Sequence, residues 1–389
     1  MVPPVIPDYD GGSIVNLMAS IAPACGGEHS PYPPLRALAP SDLSGATNLI
    51  LLVIDGLGYE YLIRAGAGGA LSQHLRDRIT SVFPSTTATA ITTFLTGLAP
   101  QQHGLTGWFT YFREIGSVAA VLPFKSRYGG RTFSDAGISA AALYGHVPFF
   151  DRIGVRSYVV SPERIIHSDF NAAHSGRAER RGFATLEQMF QVLKETVREN
   201  AERKFIYAYY PELDSVAHEH GIGSPQAAGL LAGLDRAFDR FLAAIRGSDT
   251  AVIVTADHGF IDADPGGFIQ LGDHPDLTET LVLPLCGESR VAYCYVHPHK
   301  REQFEAYVQA VLAPYAMLFE SRELVAQGWF GPGLPHPRLL ERIGHYALVM
   351  RQHHAIKDWL LGERPYAHRG LHGGVSAAEM FVPLIVARI

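Results

Sequence analysis

The chain of 389 residues can bury a large core, and its length suits one big α/β domain with an insertion, or two domains. Hydrophobic residues make up 47% and charged residues 18%, which excludes a disordered chain. The net charge of −6 is dispersed, and without a basic run or stripe no nucleic-acid partner is expected.

The first 45 or so residues are rich in Pro and Gly and read as an extended arm lying on the domain. The opening MVPPVIPDYDGGSIVNLMAS lacks a basic region and its prolines interrupt any apolar run, so no signal peptide is expected. No uncharged apolar stretch reaches the length of a membrane span, so no membrane partner is expected. Three scattered cysteines, Cys25, Cys286 and Cys294, suit a reducing compartment better than a disulfide framework, and the cytoplasm is the expected location.

NLILLVIDG (48–56) is a continuous apolar run that ends in Asp-Gly, the pattern of a central strand covered on both faces. KFIYAYYPELD (204–214) and TAVIVTADHG (250–259) repeat the design. Helical patterns separate them, at 184–203 and 227–247. Strands alternating with helices predict a doubly wound, mostly parallel α/β sheet. From 265 to 365 the texture changes to a small strand–helix–strand pattern followed by strand-like sequence in HYALVMRQHHAIKD, and MFVPLIVARI then completes the sheet. The expected organisation is a catalytic core of 1–264 and 366–389 with a cap-like α/β insertion at 265–365.

Ligands of such sheets bind beyond the carboxyl ends of the strands, where Asp55, Asp214, Asp257 and His258 all fall. A single Asp after a strand is ordinarily a turn or cap residue, but adjacent Asp257 and His258 offer oxygen and imidazole together. Asp214 and His218 stand four apart, so a helix starting there presents both on one face. In AHRGLHGGVSAAEM the glycines around His372 allow close backbone approach to a metal; His368 reads as a neighbour of the ligands or a surface residue. The expected donor sets are Asp55, Asp257 and His258 for one divalent ion, and Asp214, His218 and His372 for another. Zn2+ suits these N/O donors best, and Mn2+ also fits.

FPSTTATAITTFLTG (83–97) places six threonines in fifteen residues, although threonine is a mediocre helix former. It is either a buried small-residue helix or the carrier of a reactive hydroxyl. Together with VIDGLG, LTGLAPQQHG, ELDSVAHEHG, TADHG and HGG, it resembles the alkaline phosphatase superfamily, and within it the type I phosphodiesterase/nucleotide pyrophosphatase family. The motifs run from residue 50 to 374. The resemblance implies the α/β fold, two zinc ions and a threonine nucleophile three residues after Pro84. That residue is Thr87, which would also ligate metal, with Thr86 the rival one position away. His103 is then a buried hydrogen-bonding residue.

One position departs from the family pattern, since Trp108 stands where an asparagine usually helps to bind phosphate. Trp108, Tyr111 and Arg113 become candidate substrate-binding residues, with Lys125 and Arg127 as further possible cations. The expected function is metal-dependent hydrolysis of a small phosphoester, with a nucleotide as one candidate, through a covalent threonine intermediate. With no arginine evident beside the nucleophile, a diester or pyrophosphate is expected over a dianionic monoester. The alternatives are a phosphonoacetate-type C–P hydrolase, a phosphomonoesterase, or a catalytically silent metal-binding or regulatory protein on the same scaffold.

Overall fold

β1 (Asn48–Ile54) is buried along its whole length, with strands paired to it on both sides. Each such Val, Leu or Ile stabilises the sheet by about 1.5–3 kcal/mol relative to exposure. The computed structural model describes residues 3–28, 30–264, 266–363 and 368–389. The other strands of the central sheet are β2 (Leu75–Thr80), β3 (Arg156–Pro162), β4 (Glu179–Phe183), β5 (Lys204–Tyr210), β6 (Thr250–Thr255) and β7 (Phe381–Arg388). Their order is β2-β7-β6-β1-β5-β3-β4. Strands β6, β1, β5, β3 and β4 run parallel, and β7 is antiparallel to β2 and β6. This is the predicted mostly parallel α/β sheet.

The helices that matter here are α1 (Ile14–Ala24), α2 (Thr87–Thr96), α3 (Leu186–Arg198), α4 (Glu212–His220) and α5 (Pro225–Ala244). Thr185 and Ser224 start α3 and α5 by accepting backbone N–H groups with their hydroxyls. The N-terminal segment is not simply an extended arm. Its IVNLMAS run forms α1, almost wholly buried, with Asn16 Oδ1 accepting from the Ser13 N–H at 3.0 Å. Burial of that apolar run outweighs the local signal of the flanking prolines and glycines.

A second seven-stranded sheet has the strand order 316–320, 346–350, 291–294, 286–287, 109–112, 117–120, 125–126. The segment 265–365 therefore shares its sheet with strands that follow α2. The two parts meet at Gly107 and Gly287, where a Cβ on Gly107 would lie 2.6 Å from Gly287 Cα. No side chain fits that contact. The expected boundary at 365 and 366 lies outside the described residues.

Candidate metal and phosphoryl site

The carboxyl edge of the central sheet gathers the predicted ligands. Asp55 follows β1, Asp257 and His258 follow β6, and Asp214 and His218 lie on α4 just after β5. His372 comes from the loop that leads into β7, whose antiparallel direction starts it at the same edge. Asp55, Asp257 and His258 are all buried, and His372 nearly so.

Backbone carbonyls fix the tautomers of His258 and His218. His258 Nδ1 lies 3.1 Å from the Gly259 carbonyl and His218 Nδ1 lies 2.9 Å from that of Gly370, so both must donate there. In each neutral ring Nε2 then carries only a lone pair. His258 Nε2 faces Asp55 Oδ1 at 3.3 Å and Asp257 Oδ2 at 3.4 Å. His218 Nε2 faces His372 Nε2 at 3.1 Å and Asp214 Oδ1 at 3.4 Å, while His372 Nε2 is 3.6 Å from the same oxygen. Asp55 Oδ1, Asp214 Oδ1 and Asp257 Oδ2 are buried without a hydrogen-bond donor. Buried carboxylate oxygens without a partner are costly, and bound cations would satisfy them. Donor atoms of Asp214, His258 and His372 also lie within 4.8 Å of one another, so His258 stands between the two sets.

Burial holds the imidazoles in their coordinating form. It lowers His218 to about 3, helped by the neighbouring His368, and lowers His258 and His372 as well. The carboxyls of Asp55 and Asp214 are raised by burial and by the charge of Asp257. Tyr209 donates to Asp55 Oδ2, and Asp257 Oδ1 accepts from Gly56 N at 3.1 Å and His258 N at 3.0 Å, which fixes each remaining oxygen toward the site.

Thr87 is the first residue of α2, with its hydroxyl 3.1 Å from His258 Nε2 and 3.5 Å from Asp55 Oδ2. Thr86 points elsewhere and donates to Glu288 Oε1 at 2.7 Å. The remaining threonines serve the helix. Thr92 and Thr96 donate to the carbonyls of Ala88 and Thr92, and Thr93 meets His103 Nε2 at 3.3 Å. All of α2 is buried. The helix N-terminus at Thr87 presents unpaired backbone N–H groups suited to an anion.

A cleft of about 420 Å³ opens onto Thr87 and is also lined by Trp108, Glu288, Lys357 and His368. His368 packs on His218 with ring centroids 4.1 Å apart. Tyr111 and Arg113 do not line this cleft. They lie farther along the strand 109–112, which carries the chain away at about 3.3 Å per residue, and they face a separate cavity of about 450 Å³. There Arg113 pairs with Glu341 at 3.0 Å. Arg127 reaches the cleft wall but is bound to Asp358 at 2.6 Å and Glu363 at 3.1 Å, and Lys125 is exposed. Glu288 and Lys357 escaped the sequence reading because neither belongs to a local pattern.

The family model for type I phosphodiesterase / nucleotide pyrophosphatase matches residues 49–375. The chain belongs to that family. It is a hydrolase acting on phosphoester bonds. Among solved structures, murine ectonucleotide pyrophosphatase / phosphodiesterase 5 is similar, with 16% identity over 86% of this chain and 87% of that one, at a TM-score of 0.66. An inactive threonine-to-alanine form of the murine protein in complex with AMP matches at 16% identity, 86% and 87% coverage, and a TM-score of 0.65. Phosphonoacetate hydrolase from Sinorhizobium meliloti 1021, in complex with phosphonoacetate, matches at 20% identity, 88% and 91% coverage, and a TM-score of 0.62. These likenesses share the fold of this phosphodiesterase-family chain. No curated protein sequence matches it.

Proposed function

We propose that the chain is a two-metal phosphodiesterase or nucleotide pyrophosphatase that works through a covalent ester on Thr87. The observation that carries this reading is the convergence of imidazole and carboxylate groups, His258 Nε2 with Asp55 and Asp257 and His218 with His372 and Asp214, in which three buried carboxylate oxygens have no hydrogen-bond partner among the described residues. Asp55, Thr87, Asp257 and His258 would hold one ion, and Asp214, His218 and His372 the other. The N/O donor set suits Zn2+, with Mn2+ the alternative. Bound there, the ions would lower the pKa of the threonine hydroxyl and neutralise charge on the phosphoryl group.

The chain's own groups supply the rest. Thr87 gives its hydroxyl proton to solvent and attacks phosphorus, the bond from phosphorus to the departing oxygen breaks, and that oxygen takes a proton from solvent. Water then cleaves the threonine ester. The N-terminal amides of α2 orient the non-bridging oxygens. The murine relative's inactive threonine-to-alanine form supports the assignment of a threonine, and its AMP supports a nucleotide substrate.

A monoanionic diester is the substrate class that this cleft fits. Glu288 adds negative charge near Thr87, and Arg127 is already bound by carboxylates. A second reading, a phosphonoacetate-type C–P hydrolase, draws on Lys357, which brings a cation into the cleft wall. The three buried free thiols suit a reducing compartment, in line with the cytoplasm. A hydrolysis panel with zinc or manganese tests the choice. Bis(p-nitrophenyl) phosphate and nucleotide p-nitrophenyl esters are expected to exceed p-nitrophenyl phosphate in kcat/KM by at least about tenfold, which needs only ~1.4 kcal/mol. A clear preference for the monoester, or for phosphonoacetate, would overturn it.

A further inference from the structure

Glu288 sits at the tip of the hairpin formed by the strands 286–287 and 291–294, where its N–H donates to the Val291 carbonyl at 2.8 Å. The tip is held from several sides. Ile356 N donates to the Ser289 carbonyl at 2.9 Å, and Arg290 makes a buried pair with Glu379 at 3.0 Å. Glu379 in turn accepts from Gly374 N at 2.8 Å, on the loop that carries His372. At Gly373 a Cβ would lie 3.1 Å from Glu288 Cβ, so the glycine beside His372 makes room for this side chain.

One carboxyl oxygen is fully engaged. Oε1 accepts from Thr86 Oγ1 and from Trp108 N, both at 2.7 Å. Among the described residues no hydrogen bond reaches Oε2, and Glu288 lines the same cleft as Thr87. The donors on Oε1 are the residue before the proposed nucleophile and the residue after Gly107, so they fix the carboxyl beside the place where a phosphoryl group must lie.

We propose that Glu288 sets the charge this cleft accepts, its Oε2 favouring a phosphoryl group with one negative charge over a group with two. The inference rests on the phosphoester-hydrolase reading above and names a residue that decides its substrate class. An anion fixed next to the reacting group opposes each added negative charge on it, and in a part-buried cleft the opposition is screened less than in water. Arg127 does not offset it, because Asp358 and Glu363 already hold the guanidinium. Lys357, which lies over the Trp359 ring and lines the same cleft, offsets part of the Glu288 charge, and removing that charge leaves the lysine unopposed by Glu288. Burial pushes the Glu288 carboxyl up to about 7 against the lowering effects of its two hydrogen bonds and of Lys357, so the charge is present at pH 8.5.

Glu288→Gln isolates the charge. Its amide oxygen still accepts from Thr86 and Trp108, and only Oε2 becomes an NH2 donor. The metal-loaded enzyme and the variant are assayed at pH 8.5 with bis(p-nitrophenyl) phosphate and p-nitrophenyl phosphate, and titrated with inorganic phosphate. The ratio of kcat/KM, diester to monoester, is expected to fall at least about tenfold in the variant, and phosphate to bind at least about fivefold tighter. An unchanged ratio with unchanged phosphate affinity overturns the proposal. If neither ester is hydrolysed the functional reading fails, while the phosphate titration still decides the role of Glu288. Should the variant not fold, the unmodified enzyme decides: it is expected to bind dimethyl phosphate at least as tightly as phosphate, and a preference of about tenfold for the dianion overturns the proposal.

Discussion

Two neighbouring threonines with different partners define the site at the residue scale. Thr87 faces His258 and Asp55, whereas Thr86 is occupied by Glu288. Thr87→Ala is expected to lower turnover by at least about a thousandfold, the scale of removing a nucleophile, with metal content and melting temperature nearly unchanged. Thr86→Ala is expected to retain most turnover, since its hydroxyl makes no cap bond to α2. Steady-state kinetics with a diester, beside metal analysis of each variant, check the pair. A sequence alone leaves these residues one register step apart. Only the folded helix start shows which hydroxyl meets the ligands.

Among the elements, the loop carrying His372 depends on the second sheet. Arg290 is buried against Glu379, which also accepts from Ser376 Oγ and Gly374 N. Burial alone would raise the Glu379 carboxyl, but Arg290 and these hydrogen bonds outweigh it and lower it. Arg290→Met is therefore expected to destabilise the protein by about 3–5 kcal/mol, because it leaves a buried carboxylate without its partner. Denaturant unfolding measures the loss, and metal analysis is expected to show weaker binding at the site that includes His372. The strands ending in Asp55 and in Asp257–His258 were legible because a fully apolar run followed by an acid is a strong local pattern. Asp214 and His218 were legible from their four-residue spacing, which puts both on one helix face. Glu288 and Lys357 were not, since a hairpin and a strand from the insertion bring them to the cleft and nothing local marks either.

Over the whole molecule, buried neutral histidines outside the metal site make stability depend on pH. His146 is lowered to about 3 and His174 to about 4, chiefly by burial, and His103 is lowered as well. In the unfolded chain they titrate near 6.5, so the unfolded state takes up more protons below that pH. Their contribution is complete above pH 6.5 and is lost as pH falls toward 4 and below. The melting temperature is expected to drop across that window, and His146→Gln to make the drop shallower. An equal slope in both proteins would count against these assignments. Removing metal with a chelator is expected to abolish activity and lower the melting temperature, because ions that bind only the folded chain stabilise it by mass action. The sheet class was legible from alternating strand and helix patterns. The helix α1 and the sharing of the second sheet with 109–126 were not, because both depend on contacts between segments distant in sequence.

The account turns on a covalent ester at Thr87, and trapping it is the most direct test. The metal-loaded enzyme is quenched in acid during turnover of a diester, digested, and the peptide covering 83–97 is sequenced by mass spectrometry. The expected result is a phosphoryl or nucleotidyl group on Thr87, absent from Thr87→Ala. A group on Thr86 or another residue, or turnover with no adduct and with inversion at phosphorus, would contradict it.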